Sequence, residues 1–94
     1  MSEIIEVLGE AEVLAQLAEE AAELAQAALK LRRVLDGRNP TPKDEAECRK
    51  NLEEEYSDVV HCAMELGLNT DFWLIESKNE RWKTRLGIVG GSDG

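Results

Sequence analysis

The sequence predicts an all-α fold, a four-helix bundle completed by self-association, and three observations carry that prediction. The 94 residues contain only 2 prolines, and long Ala/Leu/Glu/Gln-rich stretches run between glycine-marked breaks. Apolar residues recur in steps of three and four, the period of a helix face, and no stretch alternates as a strand would. Finally, so short a chain buries a modest share of its surface, so association is the expected supplement to its core.

Each element has its own warrant. Residues 3–8 hold Ile4, Ile5, Val7 and Leu8 in a short apolar segment, and Gly9 marks a break. A long helix is expected from about Glu10 to Leu35. Lys30, Arg32 and Arg33 near its end suit the negative pole of the helix dipole, and Gly37 fits the position just past its end. Asp36-Gly37-Arg38-Asn39-Pro40 reads as a loop. Thr41 as N-cap and Pro42 at the first helical position begin a third helix that runs to about Leu66 and stops at Gly67. Asn69 or Thr70 caps a fourth, roughly Asp71 to Arg85. One domain over residues 1–86 and a glycine-rich tail over 87–94 follow.

Composition narrows the function. Asp and Glu number 20 against 11 Lys and Arg, for a formal charge of -9. That balance argues against binding polymeric nucleic acid, which needs a basic stripe to displace counterions. No apolar run approaches the roughly 20 residues of a membrane span. The acidic start, Met-Ser-Glu-Ile-Ile-Glu, lacks a basic leader segment, so a cytoplasmic location is expected. Cys48 and Cys62 stand 14 residues apart on one helix, about 21 Å along its axis, and cannot bridge each other. With His61 the only histidine and no Cys-x-x-Cys, a Cys/His zinc site is excluded.

The two long helices share an interruption. The apolar seam of the second reads Val13, Leu17, Glu20, Leu24, Ala27, Leu31; that of the third reads Cys48, Leu52, Glu55, Val59, Cys62, Leu66. The offset is 35 throughout, and both seams carry a glutamate in the third slot. Each glutamate has a second acid three residues on, Glu23 or Asp58, and Glu19 and Glu54 flank them. If the helices pack antiparallel, Glu20, Glu23, Glu55 and Asp58 meet. Carboxylates forced together out of water must either take up protons or hold cations. Oxygen ligands without Cys or His select Mg²⁺, Mn²⁺ or Ca²⁺ over zinc. The absence of Glu-x-x-His counts against a ferritin-like di-iron bundle. The alternative is a glutamate-rich solvated face on a non-catalytic acidic helical interaction module.

The fourth helix has the seam Phe72, Ile75, Asn79, Trp82, Leu86, with Asn79 as the polar intruder beside Lys78 and Arg81. A carboxylate-bound metal next to cations and an amide is equipment for binding a polyphosphate. Lys83 and Arg85 fit better as complements to the helix dipole. The aromatics Tyr56, Phe72, Trp73 and Trp82 suit core or subunit packing, with base stacking as the alternative. His61 falls off the seam and is expected at the surface.

Glu-Glu-Ala-Ala-Glu-Leu on one helix, Glu-Glu-Tyr-Ser-Asp-Val on the next and Lys-Asn-Glu-Arg-Trp after them resemble the MazG-type all-α nucleoside triphosphate pyrophosphohydrolases, a superfamily that includes the dimeric dUTPases and dCTP pyrophosphatases. The resemblance covers about residues 10–85. It implies a MazG-like four-helix bundle that uses Mg²⁺, with Mn²⁺ as a possible substitute, to split a nucleoside triphosphate into a monophosphate and pyrophosphate. By position, Glu20, Glu23, Glu55 and Asp58 are the implied metal ligands. Glu19 or Glu20 orients the attacking water, and Lys78, Asn79 and Arg81 lie on the substrate side. Even-numbered assembly, a homo-dimer or homo-tetramer, is the implied oligomeric state. The connection between the acidic motifs is long for the family, and the fourth-helix segment is a loose match.

Overall fold

Helical propensity and glycine placement divide the chain as expected. The computed structural model describes residues 3–37 and 45–88, and among them lie four α-helices and no strand. These are α1 (Glu3–Leu8), α2 (Glu10–Leu35), α3 (Glu45–Glu65) and α4 (Phe72–Leu86). The expected helix start at Thr41 and Pro42, and the tail beyond residue 88, lie outside the described residues.

The helix ends follow from local chemistry. At the end of α3 the Leu68 N–H donates to the Ala63 carbonyl at 3.0 Å and the Gly67 N–H to Met64 at 3.0 Å. α4 ends the same way, with Ile88 donating to Lys83 at 2.9 Å and Gly87 to Thr84 at 3.1 Å. Both are Schellman closures, which need a left-handed residue just past the helix; Gly67 and Gly87 supply it at φ 69° and 75°. The start of α4 corrects the sequence reading. Its cap is Asp71, not Asn69 or Thr70: the Asp71 carboxylate accepts from the Leu74 N–H at 2.9 Å. An acid there satisfies a free N–H and also faces the positive pole of the helix.

The core is one seam. The buried apolar residues are Val13, Ala27 and Leu31 of α2 and Cys48 and Cys62 of α3, all of them seam positions. Leu17, Leu24, Leu52, Val59 and Leu66 are half-buried between them. α2 and α3 therefore form a two-helix hairpin, with α1 resting on α2. Both cysteines are buried thiols, as their separation on one helix requires.

The two edges of the hairpin differ. The residue before each seam slot is polar throughout: Gln16, Glu19, Glu23, Gln26 and Lys30 on α2, and Asn51, Glu54, Asp58, His61 and Glu65 on α3. The residue after each of the first five slots on α2 is Leu14, Ala18, Ala21, Ala25 and Ala28, an apolar row left exposed, and Arg32 follows the sixth.

α4 makes no substantial packing contact with the hairpin. Every residue of α4 except Lys83 is exposed. Phe72 is 76% exposed, Trp73 86% and Trp82 61%, so the aromatics do not serve as core within one chain. The radius of gyration is 17.5 Å, against about 12 Å for a compact chain of this length. Within one chain α2 and α3 pack together and α4 stands away. No helix among the described residues is long and apolar enough to cross a membrane.

Candidate metal centre

The seam that builds the hairpin also sets its acids. Glu20 and Glu55 occupy apolar slots, so packing α2 on α3 carries both carboxylates toward the interface, where they are half-buried. Glu23, one turn after Glu20, approaches from the polar edge and stays exposed. One carboxylate oxygen from each of Glu20, Glu23 and Glu55 lies within 4.8 Å of the other two. The register is antiparallel: a single groove is lined by Glu23 with Glu55 and, farther along α2 and back along α3, by Lys30 and Arg33 with Asn51.

Asp58 joins at the margin. It is exposed and is not one of the three mutually close acids, but it stands near enough to Glu55 to act on that carboxyl. Glu19 and Glu54 are exposed and outside the cluster.

Electrostatics register the crowding. The Glu55 carboxyl is held above its ordinary value of 4.5, first by burial and then by the charges of Glu23, Asp58 and Glu20, with the Asp58 hydrogen bond acting in the same direction. Burial also pushes the Cys62 thiol up, and Glu20, Asp58 and Glu65 add to the effect. A thiol held protonated is a poor metal ligand and nucleophile, which leaves the chemistry to the oxygens.

Glu20 is the best-defined member. Gln16 Nε2, one turn earlier, donates to Glu20 Oε2 at 2.8 Å. The other oxygen, Oε1, is buried without a hydrogen-bond partner. A buried carboxylate oxygen in that state is costly unless something positive meets it. Three carboxylate oxygens within one ion's reach, one of them from the crowded Glu55, fit a hard divalent cation. Glu65 is a separate case. Its Oε1 is likewise buried and unpartnered, while its Oε2 lies 3.7 Å from Nε2 of the exposed His61, too long for a hydrogen bond.

The remaining site residues fall elsewhere. Lys78, Asn79 and Arg81 are exposed on α4, which does not pack on the hairpin that holds the carboxylates. Within one chain the two groups are not brought together. Gln16, not singled out from the sequence, reaches Glu20, while Gln26 and Asn51, likewise passed over, and Lys30 and Arg33, read as complements to the helix dipole, line the adjoining groove. For Gln16, Gln26, Lys30 and Asn51 the signal lies one residue before a seam slot, in the row that is polar on both helices. Comparison of the chain with protein-family models, curated proteins and solved structures found no match.

Proposed function

We propose that this protein is a Mg²⁺-dependent nucleoside triphosphate pyrophosphohydrolase, cleaving an NTP or dNTP with water to the monophosphate and pyrophosphate. One observation carries the reading: Glu20, Glu23 and Glu55 each bring a carboxylate oxygen within 4.8 Å of the other two, in a group that includes the half-buried Glu20. Scattered, solvated acids would have favoured the non-catalytic interaction module instead.

Glu20, Glu23 and Glu55 would hold the ion, with Asp58 at the margin as a fourth carboxylate. Mg²⁺, or Mn²⁺ in its place, supplies neutralisation of the negative charge that builds on the departing pyrophosphate. Gln16 fixes the plane of the Glu20 carboxylate by holding Oε2, which turns Oε1 inward. Glu19 stands next in sequence, exposed and outside the cluster, and is the carboxylate left to accept a proton. In the step it serves, the water oxygen bonds to the α-phosphorus, the bond to the bridging oxygen of the β-phosphate breaks, and the water's proton passes to Glu19. Glu20 shares the orientation of that water.

Assembly belongs to the same reading. The exposed Phe72, Trp73, Ile75, Trp82 and Leu86 of α4, and the alanine row of α2, are apolar surface beyond what a lone helix face needs. A homo-dimer or homo-tetramer that covers them would complete a bundle around each hairpin. It would also let Lys78, Asn79 and Arg81 approach the carboxylates of a second copy.

Pyrophosphate release from a panel of standard and modified NTPs and dNTPs, with Mg²⁺ and with EDTA, tests the activity. Metal-dependent release with a monophosphate product is expected. No turnover across the panel from a folded oligomer would overturn it in favour of the acidic interaction module.

A further inference from the structure

We infer that Lys30 and Arg33, with the amides of Gln26 and Asn51, form an anion subsite that receives the terminal phosphates of a polyphosphate ligand. This rests on the reading above for the identity of the substrate, but on different side chains. A groove of about 480 Å³ runs along the hairpin from Glu23 and Glu55 to Lys30 and Arg33, with Gln26 and Asn51 between. That volume is within the roughly 300–1,000 Å³ of small-molecule sites. Apart from Ala27 and Leu29 its lining is polar and charged, which suits an ionic ligand.

The groove is bipolar. Glu23 and Glu55 at one end repel a bare anion, and Lys30 and Arg33 at the other repel a bare cation. A divalent cation already bound to a phosphate chain matches both ends. Glu23, Gln26, Lys30 and Arg33 follow steps of three, four and three, so they form one row on α2. Lys30 lies about 10 Å and Arg33 about 15 Å along the axis from Glu23, at 1.5 Å per residue. Neither cation has a salt-bridge partner among the described residues, a state they share with Arg32, Lys50, Lys78, Arg81 and Arg85, so both are available to an anion in the groove. Complementing the helix dipole would account equally for Arg32, which does not line the groove. It gives no reason for two amides to face the same space.

Titration of the full chain with inorganic pyrophosphate in Mg²⁺, followed by calorimetry, is the direct test. The wild type is expected to bind, and Lys30→Gln/Arg33→Gln to weaken the affinity at least tenfold. The charge-matched double variant Arg49→Gln/Lys50→Gln, outside the groove, is expected to stay within twofold. All four side chains are exposed, and far-UV circular dichroism checks that the variants stay folded. For turnover, KM is expected to rise in the first variant with kcat little changed. Absence of pyrophosphate binding in the wild type, unchanged affinity in Lys30→Gln/Arg33→Gln, or an equal loss in the control overturns the subsite. Pyrophosphate bound through Lys30 and Arg33 by a protein that hydrolyses no NTP would uphold the subsite and remove the proposed reaction. Turnover with KM and pyrophosphate affinity indifferent to the double substitution would do the reverse.

Discussion

The α2–α3 hairpin and α4 are written in the same pattern and reach opposite states. Each has an apolar seam at helical spacing interrupted by a polar residue, Glu20 and Glu55 in the hairpin and Asn79 in α4. In the hairpin the seams face each other and bury Val13, Ala27, Leu31, Cys48 and Cys62. In α4 the seam faces solvent, and Phe72, Ile75, Trp82 and Leu86 are all more than half exposed. An amphipathic pattern states which face wants a partner; it does not say which partner. Where the connection returns a complementary seam along the same line, the polar intruders are trapped together. Where it leads away, the intruder remains an ordinary surface amide.

The sharpest way to break this contrast is at the trapped acids. Glu20→Gln, Glu23→Gln or Glu55→Gln is expected to lower pyrophosphate release by about 10²-fold or more, the scale of losing a key electrostatic group. Circular dichroism should remain unchanged. Asn79→Ala, the equivalent change on α4, should cost far less. Parity between the two would remove the distinction.

The exposed α4 seam supplies the next largest effect. Phe72→Ser/Trp82→Ser is expected to convert a dimer or tetramer to a monomer at micromolar concentration, read by light scattering. A wild type already monomeric there would show that α4 needs no partner.

Metal should act on the hairpin alone. Saturating Mg²⁺ at about 100 times its dissociation constant adds about 2.7 kcal/mol to stability. In a chain this small each kcal/mol moves Tm by about 4–8 °C. EDTA should abolish the gain, and Glu55→Gln should blunt it. An unchanged Tm across Mg²⁺ concentrations would count against the ion.

In EDTA the pH dependence sharpens the same point with a smaller effect. Glu55 binds its proton more tightly folded than unfolded. Its contribution to stability is therefore complete below the ordinary value of 4.5 and is lost as pH rises through the raised folded value. Metal-free protein should lose Tm between mildly acidic and neutral pH, and Glu55→Gln should flatten that slope and raise Tm at neutral pH. A steeper slope in the variant would contradict the crowding described here.

The smallest effect belongs to the cap of α4. Asp71→Ala removes the bond to the Leu74 N–H and should cost about 1 kcal/mol, seen as reduced helicity. A 15-residue helix without tertiary packing has little reserve against that loss.

Much of this was legible because helical periodicity is local. The two seam lists contain every buried apolar residue of the hairpin, and the shared third slot singled out Glu20 and Glu55 before any contact was known. Glycines 67 and 87 marked helix ends because the closures there require positive φ. The Asp71 cap was harder to choose, since Asn69, Thr70 and Asp71 are all good caps in succession and the backbone direction decides among them. Gln16 and Asn51 were passed over because a polar row beside a seam is also how any solvated helix looks, and Lys30 and Arg33 were read as complements to the helix dipole.

By itself, then, the sequence determined the helices, their apolar faces and the acids set into them, since these depend on spacing along one helix. The tertiary structure decided the rest. Only the antiparallel register brings Glu20, Glu23 and Glu55 within 4.8 Å and leaves Asp58 at the edge, beside Glu55. Only the path of the chain after Gly67 keeps Lys78, Asn79 and Arg81 away from those acids and leaves Lys30 and Arg33 beside them. Periodicity fixes direction around a helix axis. Distance between helices depends on how the connecting segments turn, which no spacing within a helix encodes.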